Sequence, residues 1–313
     1  MSVRLGIQIP AFADADGSAG PSPAVIEQVR EAEAAGFDAA FVADPCRHTR
    51  ESHSAKPDAY TILNVLATVT EQIQLGALGS GSACRNPGSL VESLTALEVA
   101  SQGRAILGMG AGWCAREHDQ LNSHVPILAE RPASLASTLQ IIVPKIRSDR
   151  YLFSEPHHNL TDAAAPVVRA HIPVLIGGSG ETRTIPLAVE YADHLSIHTR
   201  LDELPRKVDA IRRHCEDIGR DPETLETSVL TTVSVVERVR RLPRPRDISQ
   251  PGLSGSVAYI ADRILSTVSA TGINGVILNV ANYTPGVLEQ LSAALELTDA
   301  AWPLLWPTEA TAT

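Results

Sequence analysis

The chain has 313 residues, enough for one large domain with a full hydrophobic core or for two small ones. Its 26 basic residues against 36 acidic ones leave a formal charge of −10, and no long Lys/Arg block interrupts that balance, which argues against a nucleic-acid partner. Four scattered cysteines (Cys46, Cys84, Cys114, Cys215) form no C-x-x-C pair, which favours a reducing compartment over a disulfide-stapled secreted fold.

The first residues, "MSVRLGIQIPAF", enter a strand pattern without a signal-peptide profile, and no apolar run is long enough to span a bilayer. The expectation is a soluble, cytoplasmic protein with no membrane partner. The first strand is predicted over Arg4–Pro10. A helix follows from Ser22 as N-cap, with Pro23 behind it and Gly36 as its stop. Strands are then predicted at Asp38–Asp44, Ile73–Leu78 and Arg104–Gly110, the last after a helix that ends at Gly103. Further strands read at Ile172–Gly178, Asp193–His198, Leu225–Val236 and Asn274–Val280, the last after a helix stopped by Gly272. Most are continuous apolar runs, as parallel strands covered on both faces require. Eight strands in βα alternation predict an α/β fold, a (β/α)8 TIM barrel in one domain spanning 1–313. A doubly wound open sheet is the rival.

Two intervals break the beat. Between strands 4 and 5, approximately 114–171, an insertion is expected on the strand-end rim, with a helix around Ala133–Ile146 inside it. After the seventh strand, 237–255 is rich in Pro and Arg and reads either as a lid or as a plain solvated linker.

In such a barrel the chemistry sits past the C-terminal strand ends. Four post-strand segments stand out. "GMGAGW" after strand four thins the backbone at Gly108, Gly110 and Gly112, for a close ligand or for an ordinary turn. "IGGSGETRT" after strand five sets Gly177, Gly178, Ser179, Gly180, Glu181 and Thr182 at the start of a helix, where free amides favour a phosphate. "ALGSGSACRNP" after strand three leaves Arg85 facing either the site or solvent. "ADPCRHTRESHSAKPD" after strand two is a locally basic loop, an anion site or a solvated one. His48 and His53 in it lack a third ligand, so no metal is expected.

Together these segments resemble the bacterial luciferase-like superfamily, in particular its branch using the deazaflavin F420. The matching stretches are "EAAGFDAAFVAD", "LATVTEQIQLGALGS", "GRAILGMGAGWCAREH" and "PVLIGGSGETRTIPLAVEYADHL", with a weaker echo in "YIADRILSTVSATGINGVILNV". The resemblance implies a barrel, usually a homodimer, that binds coenzyme F420 or, alternatively, FMN. The flat ring system would lie along Ala77, Leu78, Gly79, Gly110, Ala111, Gly112 and Trp113, and the phosphate on Gly177–Thr182. It also places a non-proline cis peptide at Leu78–Gly79, a bond that costs about 3–4 kcal/mol where it occurs.

Two departures limit the transfer. F420-dependent dehydrogenases of the family usually follow the second-strand Asp with His, where this chain has Pro45 after Asp44. They also carry Glu where this chain has Trp113. A glucose-6-phosphate dehydrogenase is therefore not expected. The remaining candidates for the proton are Asp44, His48 and His198, with Arg200 near a cationic substrate contact of some relatives.

The resulting expectation is F420-dependent hydride transfer to or from a small metabolite: reduction of C=C or C=N, or oxidation of an alcohol. The rival on the same barrel is an FMN-dependent monooxygenase fed by a partner flavin reductase. A phosphosugar isomerase or lyase and a non-catalytic flavin-binding homologue are weaker alternatives; the lyase is disfavoured because no Lys stands at a predicted strand end.

Overall fold

The computed structural model describes residues 3–9, 22–44, 58–78, 85–111, 130–147, 153–155, 158–160, 171–236 and 252–295. Eight parallel strands close into a barrel: β1 (Arg4–Ile9), β2 (Ala39–Ala43), β3 (Gln74–Leu78), β4 (Ala105–Gly110), β7 (Val174–Gly177), β8 (His194–Ile197), β9 (Glu226–Val235) and β11 (Gly275–Val280). Closure comes from β9, which pairs with β8 on one side and with β11 on the other. Every one of these strands falls on a predicted run.

The helices α1 (Pro23–Ala34), α2 (Ala59–Val69), α3 (Pro87–Ala100), α4 (Arg131–Arg147), α5 (Thr184–Tyr191), α6 (Leu204–Ile218), α7 (Val257–Thr271) and α8 (Val287–Leu295) surround the barrel. Their ends follow local chemistry. Ser22 accepts from the Val25 amide and Asn86 from those of Gly88 and Ser89, each with Pro in the first helical turn. Gly219 and Gly272 end α6 and α7 in the left-handed conformation.

The main core lies between strands and helices, while a smaller cluster (Ala39, Phe41, Leu78, Ile106, Leu175, Leu230, Ile277) fills the barrel itself. Arg104, buried just before β4, holds the outer layers together. Its guanidinium donates to the carbonyls of Ala67, Thr70, Ile73 and Ser101 and to Thr70 Oγ1, at 2.8–3.0 Å. We expect Arg104→Met to cost about 2–4 kcal/mol, since four buried carbonyls lose a charged donor. Urea unfolding of the two proteins measures it, and an unchanged midpoint would refute the role.

Two features went beyond the strand pattern. Within the interval read as an insertion, α4 takes the regular place of a barrel helix, packed on α3 and α5. Beside it β5 (Phe153–Glu155) and β6 (His158–Leu160) pair antiparallel. Within the stretch read as lid or linker, Gly252–Gly255 is instead a strand, β10, parallel to the last four residues of β9. It takes the edge that β8 vacates, since β8 leaves β9 at the Ile197–Val229 pair. Residues 237–251 lie outside the described residues.

The base of the barrel is closed by polar groups. Arg4 donates to Glu226 Oε2 at 2.6 Å and to Gln74 Oε1 at 3.2 Å, and His194 Nε2 lies 2.8 Å from Ser228 Oγ. Burial lowers the pKa of His194 despite nearby Glu226, which keeps the imidazole neutral. The cavity among these groups has ≈ 20 Å³, room for about one water. A ligand the size of a flavin has to enter from the opposite end.

Candidate active site

At the C-terminal mouth, inward positions follow from register. Gly6, Phe41, Ile106, Leu175, Leu230 and Ile277 share the barrel interior, so the residues two or four places further along each strand line the mouth. On β4 and β7 these are Gly108, Gly110 and Gly177, with Gly110 and Gly177 directly paired. That wall carries no side chains. At Gly108 nothing larger fits: a Cβ there would stand 1.6 Å from the Ala77 carbonyl oxygen. The β3–β4 ladder stops at Gly76–Ile106 although both strands continue, and the Ala77 carbonyl turns into the space over Gly108.

Beside Gly177 stands His198, one residue past β8, the strand paired with β7. A Cβ on Gly177 would lie 3.3 Å from its Cε1, 3.4 Å from its Nε2 and 3.6 Å from Leu78 Cδ1. His198, Gly177 and Leu78 therefore meet at one point of the mouth. His198 Nε2 is shielded from solvent and has no hydrogen-bond partner among the described residues, and Ser196 Oγ, two places earlier on the same face, is in the same state. Buried polar atoms of this kind are rare and mark a missing partner. Burial alone pushes the His198 pKa down to about 4, so the ring is uncharged at neutral pH.

This has a consequence for the protein without ligand. An unfolded His titrates near 6.5 and the folded His198 near 4, so below pH 6.5 the unfolded chain binds the extra proton. Stability is thus unaffected above that pH and falls as the pH drops from 6.5 toward 4. His198→Gln should flatten this acid limb by up to about 1.4 kcal/mol per pH unit, measured by denaturant titration at several pH values. An identical slope in the variant would rule out the buried, neutral state.

The loop after β7 forms the second part. Gly178 has φ +146° and donates its amide to Ser196 O. The amides of Arg183, Thr184 and Ile185 all turn to Gly180 O. Those of Ser179, Gly180, Glu181 and Thr182 donate to no backbone carbonyl among the described residues. They open directly onto α5, whose N-cap residue Arg183 supplies no side-chain cap. Backbone amides left free at a helix start suit an anion. The Glu181 carboxylate is not that anion: Lys207 donates to it at 2.7 Å, Arg206 Nε lies 2.9 Å away, and these partners hold its pKa low.

The third part is an ion cluster at the β2 end. Arg85 Nε donates to Asp44 Oδ2 at 2.9 Å and its Nη2 to Asp44 Oδ1 at 2.7 Å. The same Nη2 also donates to Asp58 Oδ1, and the guanidinium carbon lies 5.2 Å from the centre of the Tyr60 ring. Both oxygens of Asp44 are engaged. Sequence reading had left Arg85 undecided between site and solvent; 41 residues separate it from its partner, too far for any local signal.

A family model described as luciferase-like monooxygenase matches residues 3–244. The chain belongs to the luciferase-like monooxygenase family. Among the relatives, an F420-dependent glucose-6-phosphate dehydrogenase of Kineococcus radiotolerans is 29% identical over 49% of this chain and 46% of its own length. A 5,10-methylenetetrahydromethanopterin reductase of Methanolobus tindarius is 26% identical over 65% of this chain and 59% of its own. The chain spans about half the length of these relatives. An F420-dependent secondary alcohol dehydrogenase, solved with an F420–acetone adduct, superposes with a TM-score of 0.75 at 16% identity, covering 93% of this chain and 97% of the other. A long-chain alkane monooxygenase gives 0.70 at 14%, covering 94% and 91%. Both likenesses establish the barrel fold.

Of the candidates read from sequence, the structure brings Leu78, Gly110, Gly177 and His198 together at one point of the mouth, with Ala77 on the same strand as Leu78 and Ala111 directly after Gly110. Gly178, Ser179, Gly180 and Thr182 form the adjoining loop. Arg200 is exposed and tied to Asp202 at 2.9 Å. His48, Gly79, Gly112, Trp113 and the Leu78–Gly79 bond lie outside the described residues. Among the described residues there is no group of three potential metal ligands, and no helix is long and apolar enough to cross a membrane.

Proposed function

We propose that this luciferase-like protein is an F420-dependent oxidoreductase that transfers a hydride between the deazaflavin and a small metabolite. The observation that carries the reading is the side-chain-free pair Gly110–Gly177 at the mouth beside the unpartnered Nε2 of His198. A flat ring system needs such a bare surface, and an anionic tail fits the adjoining amides of Ser179–Thr182. The F420-dependent glucose-6-phosphate dehydrogenases among the relatives give the reading its cofactor.

When bound, the deazaflavin supplies the carbon that gives or takes the hydride. The residues supply the rest. Gly110, Ala111 and Gly177 let the ring approach the backbone, and Leu78 contributes apolar packing to its seat. His198, uncharged and unpartnered at Nε2, offers one hydrogen bond to a substrate hydroxyl or carbonyl. With its pKa pushed down to about 4 the ring is a weak base, so it orients a substrate polar group more than it carries a proton. Ordered seating of both reactants against rigid strand ends is the protein's main contribution.

An FMN-dependent monooxygenase is the second reading, favoured by the family's description and by the alkane monooxygenase likeness. Titration of the purified protein with F420 and with FMN, followed by fluorescence, separates the two. Saturable F420 binding with weak or absent FMN binding is the expected result. Tight FMN binding alone would transfer the assignment to the monooxygenase, and silence with both would remove the redox reading altogether.

A further inference from the structure

The Arg85 guanidinium occupies an unusual place in the chain's connectivity. Asp44 immediately follows β2 and Asp58 caps α2, accepting from the Thr61 amide, so the two carboxylates stand at the two ends of the β2–α2 connection. Arg85 itself stands at the far end of the β3–α3 connection, one residue before the N-cap Asn86. One side chain thus joins three loop ends. It does so next to the mouth: Ala43, which precedes Asp44, is the register partner of Leu78, and Leu78 reaches the Gly177–His198 contact.

The chemistry of the cluster suits a strut more than a reactive group. Asp44 is almost fully buried and matched bidentately, the geometry in which an Arg–carboxylate pair is most directional. Packing over Tyr60 restricts the guanidinium plane further. A surface pair contributes little, but a buried fork fixes the relative position of the elements it joins. The joined elements here are the end of β2 and the starts of α2 and α3, and the β2 end is in turn paired with β3 at Ala43–Leu78 on one side of the mouth.

We infer that Arg85 is a positioning residue for the cofactor: by clamping Asp44 and Asp58 it holds the β2–β3 corner, and with it Leu78, where the ring system of a bound F420 or FMN needs its seat. This rests on the functional reading above. The clamp touches neither cofactor nor substrate, and its effect is on affinity through the geometry of Leu78.

The test compares Arg85→Met, the double variant Asp44→Asn/Arg85→Met, and Asp58→Asn, each by thermal unfolding without cofactor and by fluorescence titration with F420 and FMN. Arg85→Met strands a buried carboxylate and should lower Tm, even to the point of misfolding. The double variant removes both charges and should recover Tm, while its cofactor Kd stays about tenfold or more above wild type. Asp58→Asn keeps the buried fork but loosens the third tie, so Tm should hold while Kd rises by a smaller factor. A purely structural pair would let affinity recover together with Tm in the double variant, and that result would overturn the inference alone. Wild-type protein that binds neither F420 nor FMN would instead bring down the functional reading, and this inference with it.

Discussion

Gly108→Ala is expected to abolish folding of the barrel. The added methyl would stand 1.6 Å from the Ala77 carbonyl oxygen and 2.9 Å from its carbon, both backbone atoms of a neighbouring strand. No rotamer relieves that overlap, so β3 has to move bodily away from β4. Overpacking against side chains costs about 1–3 kcal/mol, and a backbone collision in the fully buried centre of the sheet exceeds it. Against a typical total stability of about 5–15 kcal/mol, we expect loss of soluble protein or a midpoint shift of at least about 4 kcal/mol in urea. Gly6→Ala provides the comparison, because its nearest contact is the Ile277 side chain at 3.0 Å, which can yield. Equal behaviour of the two variants would mean that the Ala77 carbonyl does not fill the space over Gly108.

The second large effect falls on binding, with folding spared. Gly178 has φ +146°, a conformation L-residues rarely adopt, and a Cβ there would come within 2.8 Å of Thr184 Cγ2. Gly178→Asp should therefore distort the turn that aims the Ser179–Thr182 amides, and it places a carboxylate beside them. With the cofactor's anionic tail repelled, we expect affinity for F420 or FMN to fall by at least about 100-fold, some 2.7 kcal/mol. The circular dichroism spectrum should be preserved, because the loop lies past the end of β7 and outside the barrel core. Gly178→Ala, which adds the strain without the charge, should lose less. Wild-type affinity in the Asp variant would show that the tail is held elsewhere.

How far could the residues alone carry this picture? The barrel was legible because its strands, such as "AAFVA" and "VLIG", are buried on both faces and read as unbroken apolar runs between well-marked helix caps. β10 was not, since "GLSG" has neither hydrophobic weight nor alternation, and its only claim to strand structure is the edge of β9 left open beside it. The glycine motif is visible in the sequence, but one cause of it is hidden: that Gly108 makes room for a carbonyl of the adjacent strand depends on a contact between β3 and β4, 31 residues apart in sequence at Ala77 and Gly108. Arg104, inside the stretch that carried the family resemblance, was read as part of a signature; it proves to be a staple for the turn between α2 and β3 as well as for its own strand. His198 was nominated as a proton carrier by position alone. Its neutrality and its vacant nitrogen come from surroundings contributed by β3 and β7, which no local pattern encodes. Asp44, nominated in the same way, has both oxygens committed to Arg85.

The way β9 changes neighbours halfway along its length also says where this molecule is open to revision. Its lower half is locked into the hoop between β8 and β11, while its upper half rises past the end of β8 and is flanked by β10. The chain leaves β9 at its top and re-enters the same ladder at Gly252, beside Thr232, with the Val236 amide bonded to Gly255 O at the upper end. Residues added or removed between Val236 and Gly252 would leave the hoop's circumference untouched, so selection can redraw that stretch without renegotiating the closure of the barrel.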